Sequence, residues 1–266
     1  MLYEVLRDRI RATEPTVFAT VIDGPGVGGR LLLWPGGEPL GTLGNAELDR
    51  IVARDSLGEL EAGHTLVRHY GPSGETTPED LANTPTLSVF IESFAPPPQM
   101  WIFGAVDFTA ALSKVGKILG YRVTVCDARE VFATKRRFPA ADEVKVTWPG
   151  PMFTEFGGSL GPRDAVCILT HDAKFDVPAV QGALATKVGY IGVMGSRKTH
   201  AKRLERLADV GVTAPEDLAR LMSPIGLDLG ARTPEETAVA ICAEIIALRT
   251  GRRPPSLRNS SGPIHS

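Results

Sequence analysis

Cysteine is scarce in this sequence, with only Cys126, Cys167 and Cys242 among 266 residues. The number is odd, and no CxxC pair or Cys/His spacing typical of a metal site occurs. A disulfide-stabilised mini-protein is therefore excluded. Each cysteine lies among apolar residues, so we expect all three to pack as reduced side chains in a core, in a cytoplasmic protein.

Long apolar runs and an excess of one charge are also missing. No stretch reaches the roughly 18 uncharged apolar residues of a membrane span, and the alternating charges of residues 1–10 do not resemble a signal peptide. Lys and Arg number 29 against 31 Asp and Glu, whereas domains that bind nucleic acid non-specifically usually carry a basic excess. We expect neither a membrane nor a nucleic acid as partner.

The sequence does contain 43% hydrophobic residues, arranged differently in its two halves. Residues 1–94 combine short strand patterns with amphipathic helix patterns at 2–12 and 45–57, which is typical of a small α+β domain. Three consecutive prolines in residues 95–99 predict a short stiff linker. Residues 251–266, rich in Pro, Ser and Arg, are predicted to be a disordered tail.

Between residues 100 and 250, apolar runs rich in β-branched residues alternate with helix patterns. Repeated strand–helix units predict an α/β fold: a Rossmann-like parallel sheet with helices on both faces, behind the smaller α+β domain. The strand patterns are 100–103, 122–126, 143–146, 165–169 and 190–193.

The last helix pattern covers residues 234–249. Thr233 is placed as its N-cap, Pro234 as its first residue and Glu236 as the third, which predicts a capping box. The helix body is apolar on nearly every side, so we expect it to be buried.

Ligands of open parallel sheets bind at the carboxyl ends of the strands, so the polar residues there are the candidates. A dinucleotide-binding turn after the first strand would need glycine at 104 and 106, but only Gly104 fits and Asp107 follows. A phosphate-binding turn and a Rossmann-like turn without pyrophosphate both stay open. Asp127 and Arg129 follow the second strand, where a ribose-binding acid belongs; a turn cap is the alternative.

The fourth predicted strand ends in Thr170-His171-Asp172, followed by Lys174 and Asp176. His171 could transfer a proton, hold an anion or, with the carboxylates, recruit a metal. A polar loop in which Asp172 caps the next helix explains the same residues.

After the fifth strand, Gly195 frees the turn and Ser196 is a natural N-cap. Arg197 then falls in the first helical turn, where the macrodipole favours acidic residues. A bound phosphate or carboxylate would reverse that cost, so we favour an anion site over a solvated basic helix. The later basic residues of this helix are predicted to form an ordinary solvated face: Lys202, Arg203 and Arg206.

A glycine-punctuated loop at residues 223–233 carries Asp228 and Arg232. The glycines allow a close backbone approach. The two charged side chains either pair with each other or face a ligand.

Together these segments resemble the XdhC/CoxI family of accessory proteins for molybdenum hydroxylases. The resemblance implies a Rossmann-type domain behind a smaller N-terminal domain, and a dimeric, non-catalytic maturation factor. It is carried, in order, by Thr170-His-Asp172 with Lys174 and Asp176, by Gly189-Tyr-Ile-Gly192 with Gly195-Ser-Arg197, and by Pro224-Ile-Gly-Leu-Asp-Leu-Gly230 with Thr233-Pro-Glu-Glu236.

The resemblance further implies a protein that binds molybdenum cofactor, as molybdopterin or its dinucleotide form, and delivers it in sulfurated form to a xanthine- or CO-dehydrogenase-type apoenzyme. A sulfur-donating desulfurase would be a second partner. The alternatives are an NAD(P)-binding oxidoreductase and a scaffold that has lost its ligand. The residues we expect to bind the cofactor are Gly104, Asp127, Arg129, Thr170, His171, Asp172, Gly195, Ser196, Arg197, Asp228 and Arg232.

The sequence departs from the family pattern at three places. The Ser-x-Pro-Arg segment that the family pattern has near Gly24 to Arg30 is replaced by Gly-Pro-Gly-Val-Gly-Gly-Arg. The first-strand turn reads Gly104-Ala-Val-Asp107, where the family has Gly-Ala-Gly-His. Glu47 stands where the family's N-terminal domain often has a cysteine. A thiolate is a soft metal ligand and a carboxylate is not its equivalent.

Overall fold

The structure is a computed structural model that describes residues 2–71, 73–75, 86–170, 172–251 and 258. The chain forms two compact units, Met1–Pro96 and Pro97–Ser266. They divide within the segment predicted to be a linker. Most of the predicted tail lies outside the described residues, so its disorder stays a prediction.

The first unit is an antiparallel sheet with two helices. The strand order is β3–β2–β1–β5–β4, and each neighbouring pair runs antiparallel. Its elements are α1 (Leu2–Arg11), β1 (Thr16–Asp23), β2 (Arg30–Leu33), β3 (Leu40–Thr42), α2 (Ala46–Ala62), β4 (Leu66–Tyr70) and β5 (Leu87–Phe94).

Side chains that alternate along β1 give this sheet two apolar faces. Val17 packs in one cluster with Val52 of α2, and Phe18 packs in the other with Leu6 of α1. Helix α2 continues five residues beyond the predicted end at Leu57. Charged residues hide this extension from a hydrophobicity pattern.

The second unit is a six-stranded parallel sheet with helices on both faces, as predicted. Its elements are β6 (Gln99–Phe103), α3 (Asp107–Ile118), β7 (Arg122–Asp127), β8 (Glu143–Val146), α4 (Pro149–Phe156), a 3₁₀ turn (Gly157–Ser159), β9 (Ala165–Ile168), α5 (Ala173–Leu184), β10 (Tyr190–Val193), α6 (Arg197–Asp209), α7 (Pro215–Ala219), β11 (Leu221–Met222) and α8 (Pro234–Arg249).

The strand order of this sheet is β11–β10–β9–β6–β7–β8. The chain leaves β6 toward β7 on one side and returns to β9 on the other, which creates a topological switch point between β6 and β9. One face of the sheet packs in a cluster with Leu112 of α3 and Ile241 of α8. The other face packs in a cluster with Phe153 of α4, Ala179 of α5 and Leu207 of α6.

Helix α8 is less buried than its sequence predicts. Ala238, Ile241 and Ile245 are buried, but Val239 is 51% exposed and Ile246 is 38% exposed. The expectation of a fully buried helix is wrong, because α8 lies on the outside of the sheet and packs with one face only. No described helix combines the length and the apolar character that crossing a bilayer requires.

The capping box of α8 is confirmed and gives a direct stability test. The Thr233 hydroxyl accepts a hydrogen bond from the Glu236 backbone N–H at 3.1 Å, and the Glu236 carboxylate accepts one from the Thr233 N–H at 3.0 Å. We expect Thr233→Ala to lower the free energy of unfolding by about 1 kcal/mol in urea denaturation. Thr213→Ala, at an exposed position outside the helices, should change it by less than about 0.5 kcal/mol. Equal effects would contradict the assignment.

Candidate functional site

Two loops touch at the switch point. Gly104 ends β6 with φ of +111°, and a Cβ atom there would lie 3.1 Å from the backbone N of Thr170 in the β9–α5 loop. Because no side chain fits in that space without a shift of the loop, glycine is what allows the approach. The carboxyl edge of the sheet therefore has a direct contact between the β6–α3 turn and the β9–α5 loop.

Asp127, at the end of β7, has both carboxylate oxygens occupied by protein donors. Oδ1 accepts from the backbone N and Nε of Arg129, each at 2.9 Å. Oδ2 accepts from Arg129 Nη2 and from the Ala105 backbone N, each at 2.7 Å. Burial acts to raise the pKa of Asp127, but these hydrogen bonds outweigh it and hold the pKa below its ordinary value. Four donors fill the acceptor positions that a ribose hydroxyl would need.

The β6–α3 turn does not have the features of a pyrophosphate-binding turn. Val106 precedes α3 with an extended backbone and no side-chain cap. The side chain of Asp107, the first residue of α3, is 90% exposed. A carboxylate at this place opposes a pyrophosphate bound to the backbone N–H groups at the helix start, so the geometry favours a Rossmann-like turn that does not itself hold one.

The β9–α5 loop ends in a helix cap. The Thr170 hydroxyl accepts from the Asp172 backbone N at 3.0 Å, and Asp172 Oδ1 accepts from the Lys174 backbone N at 3.0 Å. Asp172 therefore caps α5, which begins at Ala173. His171 lies outside the described residues. Within the part of the chain that is described, no three His, Cys, Asp or Glu side chains are arranged to hold a metal ion.

The β10–α6 turn has the predicted N-cap. Gly195 has φ of +133°, and the Ser196 hydroxyl accepts from the Thr199 backbone N at 3.1 Å. Arg197 follows as the first residue of α6 and is half-buried. The cap is confirmed, and the anion site at this helix start stays a prediction.

Arg203 joins two of the loops at this edge to helix α5. Its guanidinium is 2% exposed. Nη2 donates to the carbonyl of Met194 at 2.8 Å and to Asp176 Oδ2 of α5 at 3.2 Å, and Nη1 donates to the hydroxyl of Ser223 at 3.2 Å. The predicted solvated face is wrong here, because Arg203 lies one helical turn before the buried Leu207, on the inner face of α6.

Glu244 of α8 holds the glycine-punctuated loop. Its Oε2 accepts from the Gly226 backbone N at 2.9 Å and from the Tyr190 hydroxyl at 2.8 Å. Burial raises the pKa of Glu244, while the two hydrogen bonds oppose the shift in part. The sequence signal for this contact is that Glu244 is the one carboxylate in the apolar body of α8, residues 238–248.

Asp228 and Arg232 lie farther along the same loop and are exposed. No ion pair joins these two described side chains, so the interpretation that they pin the loop is not supported. The Arg232 backbone N donates to Glu236 Oε2 at 2.7 Å and so extends the cap of α8.

No thiol is available as a metal ligand. All three cysteines are free and buried, which confirms that they pack in the core. Burial raises the pKa of Cys126 and of Cys242 to about 12, and that of Cys167 well above its usual value. Glu47, in the first turn of α2, is exposed and pairs with Arg50 at 2.5 Å.

The candidate residues thus divide into three groups. Gly104, Asp127, Arg129, Thr170 and Asp172 surround the switch point. Gly195, Ser196 and Arg197 belong to a loop that Arg203 ties to α5. Asp228 and Arg232 have no described side-chain contact with either group. A continuous set of protein contacts runs from Asp127 through the switch point to Ser223, and we refer to the strand-end region that it spans as the crevice.

Two family models match the chain. The model described as the XdhC Rossmann domain matches residues 100–245, and the model described as the XdhC and CoxI family matches residues 9–71.

Three named proteins are similar to this chain over most of its length. A probable xanthine dehydrogenase subunit of Bacillus subtilis is 30% identical over 208 residues, which cover 73% of this chain and 60% of that protein. A molybdenum cofactor insertion chaperone of Escherichia coli is 24% identical over 196 residues, 73% of this chain and 54% of that protein. The crystal structure of a xanthine dehydrogenase from Bacillus halodurans shares the fold, with a TM-score of 0.65 and 22% identity over 93% of this chain and 66% of that one. The chain spans less than two thirds of each of these proteins.

The Arg203 contacts give a prediction about the stability of the crevice. Arg203→Met removes the buried partner of Asp176 and should lower the free energy of unfolding by about 3–5 kcal/mol in urea denaturation. Lys202→Met, at the exposed neighbouring position of α6, should change it by less than about 0.5 kcal/mol. A similar small loss in both variants would show that the buried ion pair does not hold the loops.

Glu244 gives a pH-dependent prediction. Its pKa is raised in the folded chain, so the folded state binds more protons than the unfolded state above the unfolded pKa of about 4.3. This group therefore makes stability fall as the pH rises from about 4.3 through the folded pKa. We expect the difference in free energy of unfolding between wild type and Glu244→Gln to change across that window in urea titrations. A difference that is the same at every pH would contradict the raised pKa.

Proposed function

Because the chain belongs to the XdhC and CoxI family, we propose that it is an accessory factor that binds molybdenum cofactor and assists its insertion into a molybdenum hydroxylase of the xanthine dehydrogenase type. The names of the relatives support this proposal. The proposal concerns the activity of a complete accessory factor, whereas the region that matches this chain is only part of each relative.

The observation that carries the proposal is the set of contacts that positions the loops at the carboxyl edge of the parallel sheet. These loops are held by buried contacts of Gly104, Asp127 and Arg203, so they are positioned before any ligand arrives. Pre-positioned loops lower the ordering cost of binding. The carboxyl edge at a switch point is where open α/β sheets bind ligands.

The donors at this edge suit a phosphate-bearing pterin held through its polar groups. Arginine side chains and backbone N–H groups can bind its phosphate and ring atoms. No accessible thiol offers a bond to the metal. A cargo held by hydrogen bonds and ion pairs can be released to an acceptor enzyme without breaking a metal–thiolate bond, as delivery requires.

The finer parts of the proposal rest on the family resemblance. We propose that the cofactor is carried in sulfurated form, that a desulfurase supplies the sulfur, and that the chain works as a homodimer in the cytoplasm. The alternative of an NAD(P)-binding oxidoreductase is weakened by the occupied oxygens of Asp127 and the exposed Asp107.

The proposal predicts retention of a pterin. Protein co-expressed with the cofactor pathway should release molybdopterin or its dinucleotide form in mass spectrometry, and should raise the activity of a molybdenum hydroxylase apoenzyme. We expect Arg197→Ala to lower both by about tenfold, since it removes a charge beside the crevice. Arg206→Ala, on the exposed part of the same helix, is the matched control and should change neither.

Three other outcomes would contradict the proposal. A bound nicotinamide would support the oxidoreductase. Activation of the apoenzyme without any bound pterin would support a scaffold. Neither binding nor activation would remove the assignment altogether.

A further inference from the structure

Arg137 holds a guanidinium in a fixed place beside the β6–α3 turn. Its Nη1 donates to the carbonyl of Ala105 at 3.1 Å and to that of Phe132 at 3.3 Å. The guanidinium carbon also lies 5.5 Å from the ring centroid of Phe132 and 5.3 Å from that of Phe138. Two carbonyls and two rings therefore set its position and orientation.

The opposite edge of this guanidinium carries unused donors. Within the described chain, Arg137 Nε and Nη2 make no hydrogen bond, and the side chain is 35% exposed. The Asp107 carboxylate lies 3.7 Å from Nη2, which is too far for a hydrogen bond. An oriented guanidinium edge with free N–H groups matches the geometry of a bidentate oxyanion ligand.

A second arginine lies against the same aromatic ring. The Arg129 guanidinium carbon is 4.8 Å from the Phe132 centroid. Its Nε and Nη2 are bound to Asp127, and its side chain is 57% exposed. Asp172 adds to the effect of Asp127 in raising the pKa of Arg129. Arg129 is therefore the more neutralised of the two cations, and Arg137 is the principal anion ligand.

We propose that Arg137, assisted by Arg129, binds a phosphate group of the cargo in front of the β6–α3 turn. This inference rests on the proposed function and adds to it the subsite for the cargo's phosphate. The exposed carboxylate of Asp107 lies near the free N–H groups of Arg137, so it competes with the phosphate for Arg137. It can move aside at small cost, because an exposed ion pair of this length contributes little.

Two forms of the cargo carry a phosphate group that this subsite would bind. Molybdopterin carries a phosphate monoester, and the dinucleotide form carries a diphosphate. Titration calorimetry of the full chain with inorganic phosphate and with inorganic pyrophosphate separates them. Pyrophosphate bound more tightly indicates the diphosphate, and equal affinities indicate the monoester.

The variants test the assignment in opposite directions. Arg137→Gln should raise the Kd for the better probe by about tenfold, the effect of one charge-assisted hydrogen bond. Asp107→Asn removes the competing carboxylate and should lower the Kd by about two- to fivefold. Arg136→Gln, at the exposed adjacent position, removes the same charge and should leave the Kd within about twofold.

The proposal is overturned if wild type binds neither probe, or if Arg137→Gln keeps the wild-type melting temperature and the wild-type Kd. It is also overturned if Arg136→Gln weakens binding as much as Arg137→Gln. If Arg137→Gln does not fold, Asp107→Asn is the deciding variant. An unchanged Kd in that variant would show that Asp107 does not compete with phosphate for Arg137, and it would overturn the proposal. Pyrophosphate binding without delivery of cofactor would refute the proposed function alone, whereas delivery without dependence on Arg137 would refute this subsite alone.

Discussion

The buried guanidinium of Arg203 is the interaction on which the arrangement of the crevice depends. A charge in the core of an α/β unit is strongly destabilising unless it is paired and hydrogen-bonded. Here Asp176 supplies the opposite charge, and Met194 and Ser223 supply further acceptors. Met194 and Ser223 lie in two different loops and Asp176 lies in α5, so these hydrogen bonds join two loops to one helix. One buried cation thus positions these two loops against α5.

On the other side of the switch point, hydrogen bonds within the protein occupy the Asp127 carboxylate. A dinucleotide-binding enzyme would use an acid at this position to bind the ribose of its ligand. Asp127 is satisfied by Arg129 and by the β6–α3 turn. The same contacts orient Arg129 toward solvent. The acid is therefore present at the end of β7, but protein donors occupy it, and the Arg129 side chain that pairs with it is 57% exposed. Such an edge suits a ligand recognised through its phosphate.

The predictability of the fold varies from element to element for physical reasons. The central strands β6, β9 and β10 were predictable because they are buried and their sequences are short apolar runs. Helix α4 was missed because it begins with Pro149-Gly150-Pro151, which favours turns, and only the burial of Met152 and Phe153 stabilises it. Helix α2 was predicted too short because Glu59, on its buried side, is satisfied by Arg68 of β4.

The sequence by itself determined the alternation of strands with helices in the second unit and the caps at Ser196 and Thr233. These depend on residues close together in the chain, so spacing alone reveals them. Only the tertiary structure decided which charged side chains are paired within the protein and which are left to contact a ligand. Arg203 and Asp176 are 27 residues apart, and Asp127 and Ala105 are 22 apart. Burial and long-range pairing turn similar polar residues into either structural contacts or ligand donors, and no local pattern distinguishes the two.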